Sequence, residues 1–306
     1  MATGELSSDE VTVTVPVVRR LLEAQFPRWA GLPVEPAPAQ GVDNATYRLG
    51  PDMSVRLPRY ARWAEQVARE QEWLPKLAPR LPLPVPVPLG EGRPGAGYPF
   101  PWSVRRWLPG APVEPGRVAA SDLAGFFAAL RRVDATGGPP PQWSNGFRGV
   151  PMTDERDSAI APARLAPRIE ALAGLVDVDA VAAVWEAARA APPWDGPPVW
   201  IHGDPAPGNL LSHDGRLSAV IDFSTLAVGD PACDLIAAWS VLSAEGRREF
   251  RAALEIDDAT WARGRGWGLT AVLPTRAELT DPDPGRVARA RRRLDELVAD
   301  LRLPAV

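Results

Sequence analysis

The chain has 306 residues, enough for one large domain or two lobes. Apolar residues make up 45% and charged residues 24%, a globular balance, and the formal net charge of −4 leaves no electrostatic footprint for nucleic acid. No apolar run approaches the length of a membrane span, so neither nucleic acid nor a membrane is an expected partner.

The opening "MATGELSSDE" lacks the basic start and apolar core of a secretory signal. Cys233 stands alone, which rules out an intramolecular disulfide and a multi-cysteine metal cluster. A cytoplasmic protein is expected. The 34 basic residues comprise one lysine, Lys76, and 33 arginines.

In chain order, "PVVRRLLEAQFP" repeats apolar pairs at helical spacing behind a proline suited to a first turn. "ATYRLGPDMSVRLPR" alternates around a Gly-Pro-Asp turn and reads as a hairpin. "ARWAEQVAREQEWLPKLA" is a helix with Trp63, Val67, Leu74 and Leu77 inward, which Pro75 kinks or shortens. "PRLPLPVPVPLG" is too rich in proline for a helix and reads as an extended crossing segment. "YPFPWSVRRWLPG" ends in a short strand and a Pro-Gly turn. From "SDLAGFFAALRRV" onward the pattern is mainly helical. The expected class is therefore α+β: a small β-rich lobe over residues 1–107, a hinge, and a larger, mainly helical lobe over residues 108–306.

One later stretch breaks the helical pattern. "VWIHGDPAPGNLLSHDGRLSAVIDFSTLAVGDPACDL" holds both histidines and alternates apolar runs with isolated carboxylates. "NLL" and "LSAVIDF" read as strands around the polar turn "SHDGR". Asp204 and Asn209 then lie at the ends of a loop, and Asp222 at the end of a strand. Two carboxylates and an amide oxygen in this order suit Mg²⁺, which takes few carboxylates and keeps contacts for water and phosphate. In this division Asp204 is left to accept a proton from a hydroxyl. Protein kinases use a catalytic-loop Asp, an Asn five residues on and a separate metal-binding Asp in the same way. Each of the three also has a plainer reading as a turn residue.

The segment resembles the aminoglycoside phosphotransferase family, antibiotic kinases with a protein-kinase-like fold. "HGDPAPGNLL", "VIDFSTLAVGDPACDL" and the hinge-like "VRRWLPG" carry the resemblance, which runs from about Gly41 to the last helices. It implies a two-lobe kinase-like fold, with Asp204 as catalytic base, Asn209 and Asp222 as Mg²⁺ ligands, and His202 and Asp234 as framework. ATP or GTP is the implied co-substrate, and a small-molecule hydroxyl the implied acceptor. Against that template, Glu70 is the expected helix partner of the phosphate-binding cation. No lysine lies on the strand "SVRLPR"; Arg56 occupies its place, with Arg59 or Arg62 as the alternative cation for the phosphates. Asn44 and Thr46 are available to phosphate in a loop with the single glycine Gly41, and Trp107, with Trp102, stands near the hinge to flank a base or simply to pack.

Asp230 reads equally as a helix cap, Cys233 as packing and His213 as solvated. Asp257, Asp258, Glu278, Asp281 and Asp283 would receive a polycationic aminoglycoside or serve as caps and turn residues, while Trp261 and Trp267 would suit a macrolide. Antibiotic phosphorylation competes with phosphorylation of an amino alcohol or sugar. A nucleotide-binding module without transfer is a further alternative, and a metal hydrolase is disfavoured by the lack of HxH or HExxH patterns.

Overall fold

The computed structural model describes residues 10–38, 40–156 and 158–301, with the side chain of Pro162 left out. Residues 1–9, which hold most of the stretch read for a leader, lie outside the described residues. The chain divides into two compact units: residues up to Pro109 together with Ala219–Ser224, and Gly110–Ser218 together with the residues from Thr225 on.

The first unit is built on an antiparallel sheet. Helix α1 (Val15–Gln25) precedes β1 (Val34–Pro36), β2 (Asn44–Leu49) and β3 (Met53–Pro58); helix α2 (Ala64–Leu77) follows, then β4 (Pro88–Gly92) and β5 (Trp102–Arg106). The strand order is β1-β2-β3-β5-β4. Strand side chains alternate between faces, so the register sorts them. Ala45 lies opposite Leu57, Tyr47 opposite Val55, and Val55 opposite Val104. These residues share one core with Val18, Leu21 and Leu22 of α1 and with Trp102. Burying each aliphatic side chain contributes about 1.5–3 kcal/mol.

The alternate residues, Asn44, Thr46, Ser54, Arg56, Ser103 and Arg105, share the opposite face. Helix α2 contacts β4 and β5 and buries Gln66, Arg69 and Glu70. One side of the sheet is thus apolar and the other ionic. Pro75 costs α2 one N–H but does not end it. The helix runs on to Leu77, and the Ala78 N–H bonds Leu74 O, because a proline in the last turn leaves most of the ladder intact. Trp63 is only half-buried, at the helix start.

The second unit starts with β6 (Ala111–Pro112) and α3 (Ala120–Arg132), then α4 (Pro162–Glu170) and α5 (Val178–Ala190). Short strands follow: β7 (Val199–Ile201), β8 (Leu210–His213), β9 (Arg216–Val220) and β10 (Ala227–Gly229). β7 pairs with β10, and β6, β8 and β9 form a small sheet. The β8–β9 turn has Asp214 and Gly215 at positive φ, as a tight Asp-Gly hairpin requires. Helices α6 (Ile236–Ser240), α7 (Ala244–Ala253), α8 (Asp258–Val272), α9 (Arg276–Leu279) and α10 (Pro284–Leu301) complete it. Helix α8 packs on α5, α6 and α10. Its Gly264 is needed for close approach: a Cβ there would meet Leu235 at 2.5 Å.

The expected division after residue 107 differs from the observed one in a way that matters for chemistry. Ala219–Ser224, with Asp222, groups with the first unit. Val220 N–H bonds Pro84 O, and Arg69 donates to Ser224 O at 3.1 Å. Among the described residues no helix is long and apolar enough to cross a membrane.

Candidate active site

In the first unit the ionic face of the sheet gathers four of the expected residues around one buried carboxylate. Glu70 of α2 is 1% exposed. Arg56 Nη1 donates to its Oε1 at 3.1 Å. The Nη2 of the same guanidinium donates to Asp222 Oδ1 at 2.5 Å. With its amide oxygen turned to the guanidinium, Asn44 accepts from Arg56 Nε at 3.2 Å and Nη2 at 2.9 Å. Thr46 lies directly opposite Arg56 in the β2–β3 register, and its backbone is tied to the Gln40 side chain.

Arg105, a residue that sequence reasoning missed, completes the group. It forks onto Glu70, Nη1 to Oε1 at 3.0 Å and Nη2 to Oε2 at 2.6 Å, and its Nε donates to Ser103 Oγ at 2.8 Å. Burial alone would raise the Glu70 pKa. Arg105 first and Arg56 second outweigh burial and hold it below the ordinary carboxylate value. Burial likewise opposes the charge on Arg56, and Asp222 followed by Glu70 reverses that, so the guanidinium stays charged. Asp222 itself lies two residues past β9, at φ +61°, a left-handed conformation that Asp tolerates.

In the second unit, "IHGDPAPGN" folds back on itself. Gly203 has φ +85°, and a Cβ there would come within 2.8 Å of Thr225 O, so only glycine fits. Asp234 is fully buried and accepts the His202 and Gly203 N–H groups at 3.0 and 2.7 Å. Burial pushes its carboxyl above the usual range, against the pull of those amides. His202 is buried, and its Nδ1 accepts the Asp204 N–H at 3.2 Å. Thr225 Oγ1 donates to His202 O at 2.7 Å. Past Asp204 the two prolines shape a tight turn, from which Asn209 Nδ2 reaches back to Asp204 O at 2.9 Å and, more weakly, to Oδ2 at 3.4 Å. Asp204 and Asn209 are therefore neighbours, both half-buried. Asn209 spends its amide nitrogen on the loop.

The remaining expectations fall elsewhere. Trp107 is not drawn into the Arg56 group; the Arg48 guanidinium lies over its ring at 4.1 Å. Trp102 is a core residue that donates to Arg93 O. Asp230 caps the turn Pro231–Leu235 and also forms a buried ion pair with Arg263 at 2.8 Å. Cys233 is buried, and burial raises its thiol pKa. The carboxylates set aside for a cationic acceptor are used locally. Asp257 caps α8, Asp258 pairs with Arg251, Glu278 forms a capping box with Thr275, and Asp281 and Asp283 accept nearby N–H groups. Trp261 and Trp267 are buried.

Among the described residues no three or more His, Cys, Asp or Glu side chains gather to hold a metal. The Asp222 carboxylate of the first unit and the Asn209 amide oxygen of the second are each hard donors, the kind that suits Mg²⁺, an ion bound through one or two protein groups with water and phosphate filling the rest.

The profile of a family described as "Phosphotransferase enzyme family" matches residues 35–267. No curated protein matches the sequence significantly. Among solved structures, the GDP complex of wild-type aminoglycoside 2'-phosphotransferase-IIIa is 19% identical, with 93% of this chain and 98% of that chain covered and a TM-score of 0.64. The apoenzyme of macrolide 2'-phosphotransferase MphH from Brachybacterium faecium is 23% identical, covering 92% of this chain and 98% of that one, with a TM-score of 0.57. The gentamicin complex of APH(2")-IIa is 14% identical, covering 94% and 99%, with a TM-score of 0.56. At such identities the likeness is one of fold. The fold is α+β and protein-kinase-like, with a small β-rich part and a larger, mainly helical part.

The Glu70 pairing has a pH signature. Its lowered pKa means that the pair's stabilisation is present above the ordinary carboxylate value of about 4.5 and is lost as pH falls through the folded value. Glu70→Gln should cost about 3–5 kcal/mol near neutral pH, since it leaves a buried arginine short of its partner. The deficit should shrink as pH falls below the ordinary carboxylate value of 4.5. Urea unfolding of both proteins on either side of that value checks this; a deficit independent of pH would contradict it.

Proposed function

The chain belongs to the phosphotransferase enzyme family, and on that premise we propose that it moves the γ-phosphate of ATP or GTP to a hydroxyl of a small molecule. The proposed acceptor is an antibiotic such as an aminoglycoside or a macrolide. The observation that carries the reading is the hydrogen-bonded series Glu70–Arg56–Asp222, which sets a charged guanidinium beside a half-exposed carboxylate. Solved relatives by fold include complexes with GDP and with gentamicin, and these support a nucleotide and a small-molecule acceptor.

In this reading Asp204 accepts the proton of the acceptor hydroxyl as its oxygen attacks phosphorus. The His202 side chain, the Asn209 amide and the Asp234-held backbone fix the Asp204 loop beforehand, so little reorganisation is left for the reaction. Arg56 binds the phosphate oxygens through its planar fork, which its contact with Glu70 orients before the nucleotide arrives. Asn44 and Thr46 lie on the same face as Arg56 and add donors. Asn209 and Asp222 would hold Mg²⁺, which neutralises developing charge on the phosphates when bound. A second reading, a nucleotide-binding module without transfer, draws support from Arg56 in the lysine's place, with its donors engaged by Asn44, Glu70 and Asp222.

Asp204→Asn separates these readings. A base of this kind contributes about 10²–10⁴-fold, so turnover should fall by that factor while folding and nucleotide binding persist. Unchanged turnover at saturating substrates would remove Asp204 from the chemistry.

Asp222→Ala tests the metal assignment. The variant loses a hard oxygen but frees Arg56 from an ion pair. Calorimetric titration should show weaker binding of the Mg²⁺ nucleotide and unweakened binding of the metal-free nucleotide. Equal losses with and without Mg²⁺ would mean that Asp222 is not a ligand.

A further inference from the structure

Arg105 stands outside the roles described so far, yet it alone engages both oxygens of Glu70. It is 2% exposed and gives Glu70 a two-point fork, while Arg56 gives the same carboxylate only one contact, on an oxygen that it shares with Arg105. Ser103, also fully buried, fixes the Arg105 Nε and so the plane of the fork.

The charge balance gives this arrangement its meaning. A buried carboxylate with one cationic partner cannot release it without standing unpaired in a low-dielectric interior, which is strongly unfavourable. Were Arg56 the sole partner, moving it toward a phosphate would expose that cost. Here Glu70 keeps both oxygens paired by Arg105 after Arg56 leaves. We infer that Arg105 is a positioning residue: it serves as the permanent counter-ion of Glu70 and thereby makes Arg56 an exchangeable ligand, free to trade its contacts for the phosphate oxygens of a nucleotide. The inference rests on the proposed role of Arg56 in holding the nucleotide tail. No bond to phosphorus is made or broken by Arg105, so its effect falls on binding rather than on the chemical step.

The contrast with a lysine-based site is physical. An ammonium is a compact point charge on a flexible stem, whereas a guanidinium presents several N–H groups in one plane and engages several acceptors at once. Arg56 already does so, with Asn44, Glu70 and Asp222 around it. Exchange of one of these for phosphate is feasible only where the acceptor left behind stays satisfied. The Asp222 side chain is 38% exposed and so open to solvent; Glu70, at 2%, is not, and Arg105 fills that need.

The test combines metal-free binding of ATP and GTP by calorimetry, steady-state kinetics with Mg²⁺, and thermal melts. Arg105→Met keeps the apolar stem and removes the fork. It should raise nucleotide Kd and KM at least about tenfold with kcat within about threefold of wild type, since positioning acts before the transition state. Arg105→Lys should recover part of the loss, because charge without the fork pairs only one oxygen. The double variant Glu70→Gln with Arg105→Met should bind nucleotide better than Arg105→Met alone, since a neutral partner makes no demand on Arg56. If Arg105→Met fails to fold, Arg105→Lys carries the test alone, and a nucleotide Kd there equal to wild type overturns the inference. Nucleotide Kd unchanged in Arg105→Met and in Arg105→Lys, or a double variant no better than the single one in Kd, would overturn the inference. Failure of the underlying reading has a different pattern: Arg56→Ala would then bind both nucleotides as wild type does, which overturns the role of Arg56 and, with it, that of Arg105.

Discussion

A carboxylate closed off from water must be paired or protonated, and Glu70 meets that demand with two arginines. Much of the first unit is arranged to make the pairing possible. The β3–β5 register brings Arg56 opposite Ser103 and Ser54 opposite Arg105, so both arginines project from one face. The apolar residues between them point the other way, into the core with α1. Helix α2 then lays Glu70 against that face. The ionic side carries the proposed phosphate chemistry, and the apolar side supplies the burial that holds the strands in register. A slip of one residue would exchange the two faces and destroy both.

The second unit solves a similar problem with a single acid. Asp234 is buried without a forked partner and instead binds two backbone N–H groups, those of His202 and Gly203. Its work is to hold a bend. Gly203 accepts a conformation closed to other residues, Thr225 packs against it, and the next residue is Asp204. The buried Asp230–Arg263 pair fixes the start of the turn that carries Asp234. The half-exposed Asp204 is therefore mounted on a backbone with few degrees of freedom.

The sequence made some of this readable and hid the rest for definite reasons. Strand alternation separates Arg56 from Val55 and Leu57 without any structure, and the five-residue spacing of Asp204 and Asn209 survives as a tight turn because prolines restrict the chain between them. The helix α1, the β2–β3 hairpin and the Asp-Gly turn were legible from local pattern alone. Arg105 was not, because its partner is fixed by the pairing of β3 with β5, a non-local contact, and because "VRRW" reads as a hinge. The strands β1, β4 and β10 are short, and each of them contains proline or glycine, which weakens any periodic signal. The acids of α8 and α9 had two readings by composition. Their caps and arginine pairs in the structure favour the local one.

The most direct test of the account is whether phosphate reaches an acceptor. The protein would be incubated with γ-labelled ATP or GTP, Mg²⁺ and, in turn, aminoglycosides, macrolides, amino alcohols and sugars, with the products separated and the label located. The account predicts label on a hydroxyl of one acceptor class, with stoichiometric release of ADP or GDP. Bound nucleotide that donates its phosphate to no hydroxyl in any class would contradict it and leave a nucleotide-binding module in its place.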